Sequence, residues 1–256
     1  MLFRRSDIFC SSLGSGSLLL LKDSPGAPKV DIHDVVIGIL ALQGAFVEHQ
    51  AMLQKLSLKR KLHVVLVRTV EDLNLCDSLI IPGGESTTIA LLARISGLLE
   101  PLRDFVKAKP VWGTCAGAIL LSQSVQNSKK GGQELLGGIS IDIARNGWGS
   151  QVESFEVGLV VQGLQRPEES FTGIFIRAPV VLDLRSSPDE PPIQVIARLP
   201  TNLLPHSLAS LDENDPKTVV ALRQGLHFLT TFHPELTHDN RFHEYFVREC
   251  VLPAAV

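Results

Sequence analysis

Val35-Val36-Ile37-Gly38-Ile39-Leu40-Ala41-Leu42 is an apolar run of eight residues, closed by Gln43-Gly44. A run this short and without alternation reads as a strand buried on both faces, the kind that parallel sheets hold between two layers of helices. Helical spacing follows it, with Phe46, His49, Leu53 and Leu56 on one face. The alternation repeats outward. Leu62–Val67 and Ser78–Ile81 are further apolar strands, the second stopped by Pro82-Gly83-Gly84. Ser86 is placed to cap a helix through Leu92, Pro101 sits early in another, and Val111-Trp112-Gly113 is a short strand feeding a helix from Ala116. This order predicts an α/β fold, a single doubly wound and mostly parallel sheet flanked by helices.

The second half is richer in strands, with Ile139–Ala144, Glu153–Val161, Gly173–Ile176, Ile193–Ala197, Thr218–Leu222 and Leu226–Thr231 as extra strands. Gln224-Gly225 reads as a hairpin turn, Asp239–Cys250 as a closing helix, and the proline-rich, polar stretch Ser186–Pro216 as partly a surface loop. No repeat or linker divides this body, so 34–256 is expected to be one domain. Residues 1–33 differ: Arg4, Arg5, six serines, then Pro25, Gly26 and Pro28 suggest a disordered extension or, alternatively, an organelle-targeting segment.

Composition removes several function classes. Lys+Arg is 24 against Asp+Glu 27, a net charge of −3, which argues against a nucleic-acid binder with a broad basic face. Hydrophobic residues at 45% and charged residues at 20% suit a globular core. No apolar run in the body approaches the length of a membrane-spanning helix. Cys10, Cys76, Cys115 and Cys250 are widely spaced and form no Cys-x-x-Cys pair, so a reducing compartment, the cytoplasm, is the simpler expectation.

Three local features carry chemistry. Gly113-Thr114-Cys115-Ala116-Gly117 has the form G-x-nucleophile-x-G between a strand and a helix, where a strained turn exposes the central side chain and the helix start favours a thiolate. The alternative is a structural cysteine in a glycine-flanked turn. Phe232-His233-Pro234-Glu235 follows an apolar strand, and residues two apart in extended chain point the same way, so Glu235 can orient His233. An ordinary surface histidine is the competing reading, and a metal site on His233, His238 and His243 is disfavoured by spacings of five. Pro82-Gly83-Gly84-Glu85-Ser86-Thr87 offers glycine N–H groups to an oxyanion; it lacks the lysine of a P-loop, and a tight turn alone is the plainer alternative. All three sit at the carboxyl ends of predicted strands, where open α/β sheets place their sites.

Cys115 in Gly-Thr-Cys-Ala-Gly together with His233-Pro234-Glu235 resembles the class I glutamine amidotransferases. More narrowly, Leu40-Ala41-Leu42-Gln43-Gly44, Pro82-Gly83-Gly84-Glu85-Ser86-Thr87-Thr88, Arg145-Asn146, Ser154-Phe155-Glu156, Phe175-Ile176-Arg177-Ala178-Pro179 and Phe232-His233-Pro234-Glu235-Leu236-Thr237 resemble the glutaminase subunits of pyridoxal 5′-phosphate synthase, in order from about Val35 to Val251. The resemblance implies a flavodoxin-like sheet and a glutaminase with Cys115 as nucleophile, His233 as general base and acid, and Glu235 as its orienting partner. It implies that Gly84, Glu85, Ser86, Arg145, Ile176 and Arg177 contact L-glutamine and that Gly84 and Ala116 donate to the oxyanion. It also implies no cofactor and no metal, and a (β/α)₈-barrel synthase subunit that receives the ammonia within a hetero-oligomer. Ala118, Trp148 and Ser150 depart from the usual family residues without removing a catalytic group. The rivals are an amidotransferase serving another acceptor, an inactive regulatory paralogue and a cysteine peptidase.

Overall fold

In a computed structural model of the chain, the structure describes residues 34–58, 60–126, 132–145, 147, 154–185, 187–200 and 212–254. The expectations for residues 1–33 and the departures at Trp148 and Ser150 lie outside them, as does Asn146. The unit Val35–Val256 is one compact body.

The first strand, β1 (Val35–Leu40), is buried along its whole length. Its side chains alternate between two cores: Val35, Ile37 and Ile39 enter one, Val36 and Leu40 the other. That alternation is what an all-apolar strand between two helical layers requires. It pairs in parallel with β2 (Leu62–Val67) on one side and β3 (Ser78–Ile81) on the other; β3 pairs in parallel with β4 (Val111–Thr114). Between them run α1 (Phe46–Gln54), α2 (Val70–Asn74), α3 (Ser86–Ile95) and α4 (Leu99–Ala108). α2 carries a capping box in which the Thr69 side chain accepts from Asp72 N–H and the Asp72 carboxylate reaches back to Thr69 N–H, a T-x-x-D signal present in the sequence. α5 (Ala116–Leu121) follows β4 directly, with Ala118 fully buried in it.

The second half supplies β5 (Ser122–Gln126), β6 (Ile139–Ala144), β7 (Ser154–Leu159), β8 (Phe171–Ile176), β9 (Val180–Leu184), β10 (Ile193–Arg198), β11 (Val219–Gln224) and β12 (His227–Thr230). The main sheet has the order β10-β11-β12-β4-β3-β1-β2; β12 joins β4 in parallel and β11 runs antiparallel to both its neighbours. The remaining strands form a three-stranded sheet β5-β6-β9 and a hairpin β7-β8. The expected doubly wound sheet is therefore present; of the expected extra strands, β10, β11 and β12 extend it and β6, β7 and β8 lie in the satellite sheets.

Several boundaries differ from expectation. Glu85, not Ser86, is the N-cap of α3: its carboxylate accepts from Thr88 N–H. The longer side chain reaches past Ser86, whose hydroxyl instead donates to Gln133 Oε1. The β11–β12 turn is Gly225-Leu226, one residue later than expected, with Gly225 at φ +57. The closing helix begins at Arg241 because Asp239 is engaged in accepting from the Arg241 backbone and guanidinium; α6 (Arg241–Phe246) then passes through a π-turn, Val247–Val251, into the short α7 (Leu252–Ala254). The strand expected at Ile193–Ala197 is β10, one residue longer, within the stretch expected to be only partly loop.

Candidate active site

Parallel pairing brings distant segments together at one end of the sheet. Thr230 is in register with Thr114 and Ile81 with Gly113, so the chain leaving β12, β4 and β3 emerges side by side. These exits carry His233, Cys115 and Pro82-Gly83-Gly84.

Cys115 lies at φ 48, ψ −100, a conformation that costs a non-glycine residue about 1–3 kcal/mol. Its neighbours hold it there. Cys115 N–H donates to Thr230 O at 2.9 Å, tying the bend to β12. The flanking glycines are obligatory by contact: a Cβ on Gly113 would meet the Gly117 carbonyl at 2.5 Å, and one on Gly117 would meet Ile81 O at 2.0 Å. The helix can therefore begin at once and press against β3, leaving the thiol at the mouth of the turn. Ala116, as first helical residue, has an N–H without an intrahelical acceptor.

His233 follows β12, and its N–H donates to Ile174 O of β8 at 2.8 Å. Its Nδ1 lies 2.7 Å from Glu235 Oε1, and the Cys115 side chain stands beside the ring, so Nε2 is the nitrogen left for the thiol. Both Cys115 and His233 are only 7% exposed, and Glu235 only 3%. Burial opposes charge on the imidazole, but the neighbouring Cys115 and Glu235 side chains favour it and win, raising His233 to about 10. Burial likewise opposes charge on Glu235, yet His49 and His233 hold its carboxyl below the usual range. A thiol beside an imidazole that a buried carboxylate orients is an arrangement chemically suited to nucleophile–base work.

Gly83 forms the wall between them. A Cβ there would stand 2.3 Å from His233 Cε1 and 3.3 Å from Cys115 Cβ. Its carbonyl accepts from Ala45 N–H at 3.0 Å, and no peptide among the described residues is cis, so the Gly84 N–H points the opposite way from that bond.

Beyond the loop, Glu85 is occupied within the chain. One carboxylate oxygen takes Thr88 N–H and Thr88 Oγ1, both at 2.8 Å, together with the Thr87 hydroxyl, and the other takes Arg145 Nη2 at 2.6 Å. Burial opposes its charge, but the threonine bonds and Arg145 hold the carboxyl down at about 2. Arg145, at the end of β6, also reaches Gln133 Oε1 at 3.4 Å, and Ser86 donates to the same oxygen at 3.2 Å. Gln133 escaped the sequence reading; no local pattern marks it. Its Nε2 is buried without a hydrogen-bond partner. Ile176 and Arg177 are exposed at the end of β8, Arg177 at φ 43. The structure thus unites Cys115, His233, Glu235 and the Gly83-Gly84 loop, and joins Glu85, Ser86 and Arg145 through Gln133. His243 lies on α6 bonded to His49, away from any grouping with His233 and His238, and no cluster among the described residues offers a metal-ligand set.

Residues 39–252 match the model of the SNO glutamine amidotransferase family. The chain belongs to that family. A relative in Arabidopsis thaliana, described as probable pyridoxal 5′-phosphate synthase subunit PDX2, is 45% identical over 226 residues, covering 84% of this chain and 85% of the relative. The pyridoxal 5′-phosphate synthase subunit PdxT of Herpetosiphon aurantiacus is 42% identical over 214 residues, covering 83% of this chain and 99% of its own. A crystal structure described as a glutamine amidotransferase superposes with a TM-score of 0.66 at 39% identity, covering 86% of this chain and 99% of that one. No helix among the described residues of this chain is long and apolar enough to cross a membrane.

Proposed function

We infer that this protein is a glutaminase, the subunit of a pyridoxal 5′-phosphate synthase that hydrolyses L-glutamine and passes on its ammonia in vitamin B6 biosynthesis. The observation that carries the mechanism is Cys115 beside His233, whose Nδ1 is hydrogen-bonded to Glu235, all next to the Gly83-Gly84 loop.

The Cys115 thiolate attacks the side-chain amide carbon of glutamine. The carbonyl becomes an oxyanion received by the N–H groups of Gly84 and Ala116. His233 gives its proton to the amide nitrogen, the C–N bond breaks, and ammonia leaves a γ-glutamyl thioester. A water then attacks the thioester, losing its proton to His233; the C–S bond breaks and glutamate departs. Glu235 keeps the imidazole in one tautomer through both half-reactions. Glu85, Ser86, Arg145, Ile176 and Arg177 hold the charged end of the amino acid, with Gln133 bracing Arg145 and Ser86.

The ammonia acceptor in this reading is a (β/α)₈-barrel synthase subunit docked in a hetero-oligomer, and the relatives' names as synthase subunits support it. The catalytic domain is 34–256 with 1–33 as an extension, and the compartment is the cytoplasm, where a reactive thiol stays reduced. The test is glutamate release from glutamine by the chain mixed with its synthase subunit. Cys115→Ala abolishes it while leaving binding and ammonia-driven synthesis intact; a Cys115→Ala protein with full glutaminase activity overturns the reading.

A further inference from the structure

Behind the triad runs a second, wholly buried polar chain. Glu235 Oε1 is engaged by His233, but Oε2 is buried with no close hydrogen-bond partner, and His49 Nε2 stands 3.5 Å from it. His49, on α1, is 0% exposed; its Nε2 is 3.1 Å from Thr114 Oγ1, one residue before the nucleophile. Its Nδ1 is 2.9 Å from His243 Nε2 on α6. His243 is also 0% exposed, and its Nδ1 has no partner. Trp112 sets its ring edge-on to both imidazoles, at 5.5 Å and 4.9 Å, and closes the compartment.

The contacts dictate the protons. A buried N···N contact holds one proton, and burial keeps both rings neutral, each lowered to about 3. If His49 carried its proton on Nδ1, its Nε2 lone pair would face the Glu235 carboxylate, and His243 would carry its own proton on Nδ1 with nothing to receive it. In the opposite arrangement His243 Nε2–H donates to His49 Nδ1, and His49 Nε2–H points at Thr114 Oγ1 and Glu235 Oε2. Every N–H then has an acceptor, and the one unpaired atom is a lone pair. The charged and titratable neighbours agree: Glu235 faces His49 and His233, His49 faces Glu235, His243 and His233, and His243 faces His49 with Lys55 beyond.

We propose that His49 is a positioning residue for the glutaminase reaction, held by His243 in the tautomer whose Nε2–H faces the second oxygen of Glu235, so that the carboxylate stays ionised and square to His233. α1 thereby links two parts of the site, since its first turn begins at Ala45, the residue that bonds the Gly83 carbonyl. The inference rests on the triad reading above.

Two measurements on the full chain test it. In the complex with the synthase subunit, His49→Leu lowers kcat by about 10- to 100-fold, as expected when a charged group loses its facing N–H, with KM little changed. It also moves the acid limb of the kcat–pH profile to higher pH, because Glu235 protonates more readily. His49→Gln, whose amide N–H reaches the Nε2 position, restores most of the rate and the limb. Nitrogen-15 NMR of the histidine rings in the wild-type chain shows both His49 and His243 protonated on Nε2. An unmoved limb in His49→Leu, a Gln variant no better than Leu, or a proton on His49 Nδ1 overturns the proposal. If the wild-type complex hydrolyses no glutamine, the functional reading fails, and the tautomer measurement still decides the proton chain.

Discussion

Gly83→Ala tests the site geometry with a single methyl group. The new Cβ would stand 2.3 Å from His233 Cε1, whereas carbon atoms in contact prefer about 3.5–4.0 Å, so the ring has to retreat by roughly 1.2 Å or more. It has nowhere to slide without loss: its backbone N–H is tied to Ile174 O at 2.8 Å and its Nδ1 to Glu235 at 2.7 Å. A displacement of about 1 Å in a catalytic group costs on the order of 10²-fold in rate. Weakening the imidazole–carboxylate bond costs about 1.5–3 kcal/mol of stability, a Tm fall of roughly 3–12 °C for a domain of this size, which leaves the protein folded. The assay is steady-state glutamate release by the complex with the synthase subunit, with Tm measured on the same preparations. Gly97→Ala is the control: it also adds a Cβ, here at positive φ, +75, but one that meets nothing within 4 Å. It should lose about 1 kcal/mol and keep its kcat. A Gly83→Ala enzyme within threefold of wild-type kcat would refute the placement of Gly83 between nucleophile and base.

Other consequences follow from the same contacts. Glu85→Ala removes the N-cap of α3 and the partner of Arg145, so stability falls by about 1 kcal/mol and KM for glutamine rises, read by thermal melts and initial rates. Glu85 is held at about 2 when folded against 4.5 ordinarily, so its contribution is present above pH 4.5 and is lost as pH falls toward 2. Gln133→Leu deprives Ser86 and Arg145 of a shared acceptor and raises KM more than it lowers kcat. His243 takes a proton below about 6.5 when unfolded but only near 3 when folded, so its neutral burial costs stability as pH falls from 6.5 toward 3. His243→Phe should therefore flatten the slope of unfolding free energy against pH between roughly 4 and 6 by about 1.4 kcal/mol per pH unit, measured by urea melts.

The doubly wound core and the Cys115 turn are legible in the chain alone. β1 to β4 are short apolar runs that can be satisfied only between two helical layers, and Gly113-Thr114-Cys115-Ala116-Gly117 announces its own strained bend through its glycines. His233 and Glu235 were legible as a pair because spacing of two in an extended segment is a local property. Other elements had no such signature. β5 (Ser-Gln-Ser-Val-Gln) lacks the apolar run of a buried strand and is held by its pairing with β6, while β9 was missed although it pairs with the same strand. Glu85 displaced Ser86 as the cap because a longer side chain could reach Thr88 and Arg145 together, which depends on where β6 ends. His49 reads along the chain as one more position on the inward face of a helix. Only the tertiary structure set it between Thr114, His243 and Glu235, because hydrogen bonds between residues nearly two hundred positions apart are fixed by strand order and helix packing, and neither is written in any local stretch of the chain.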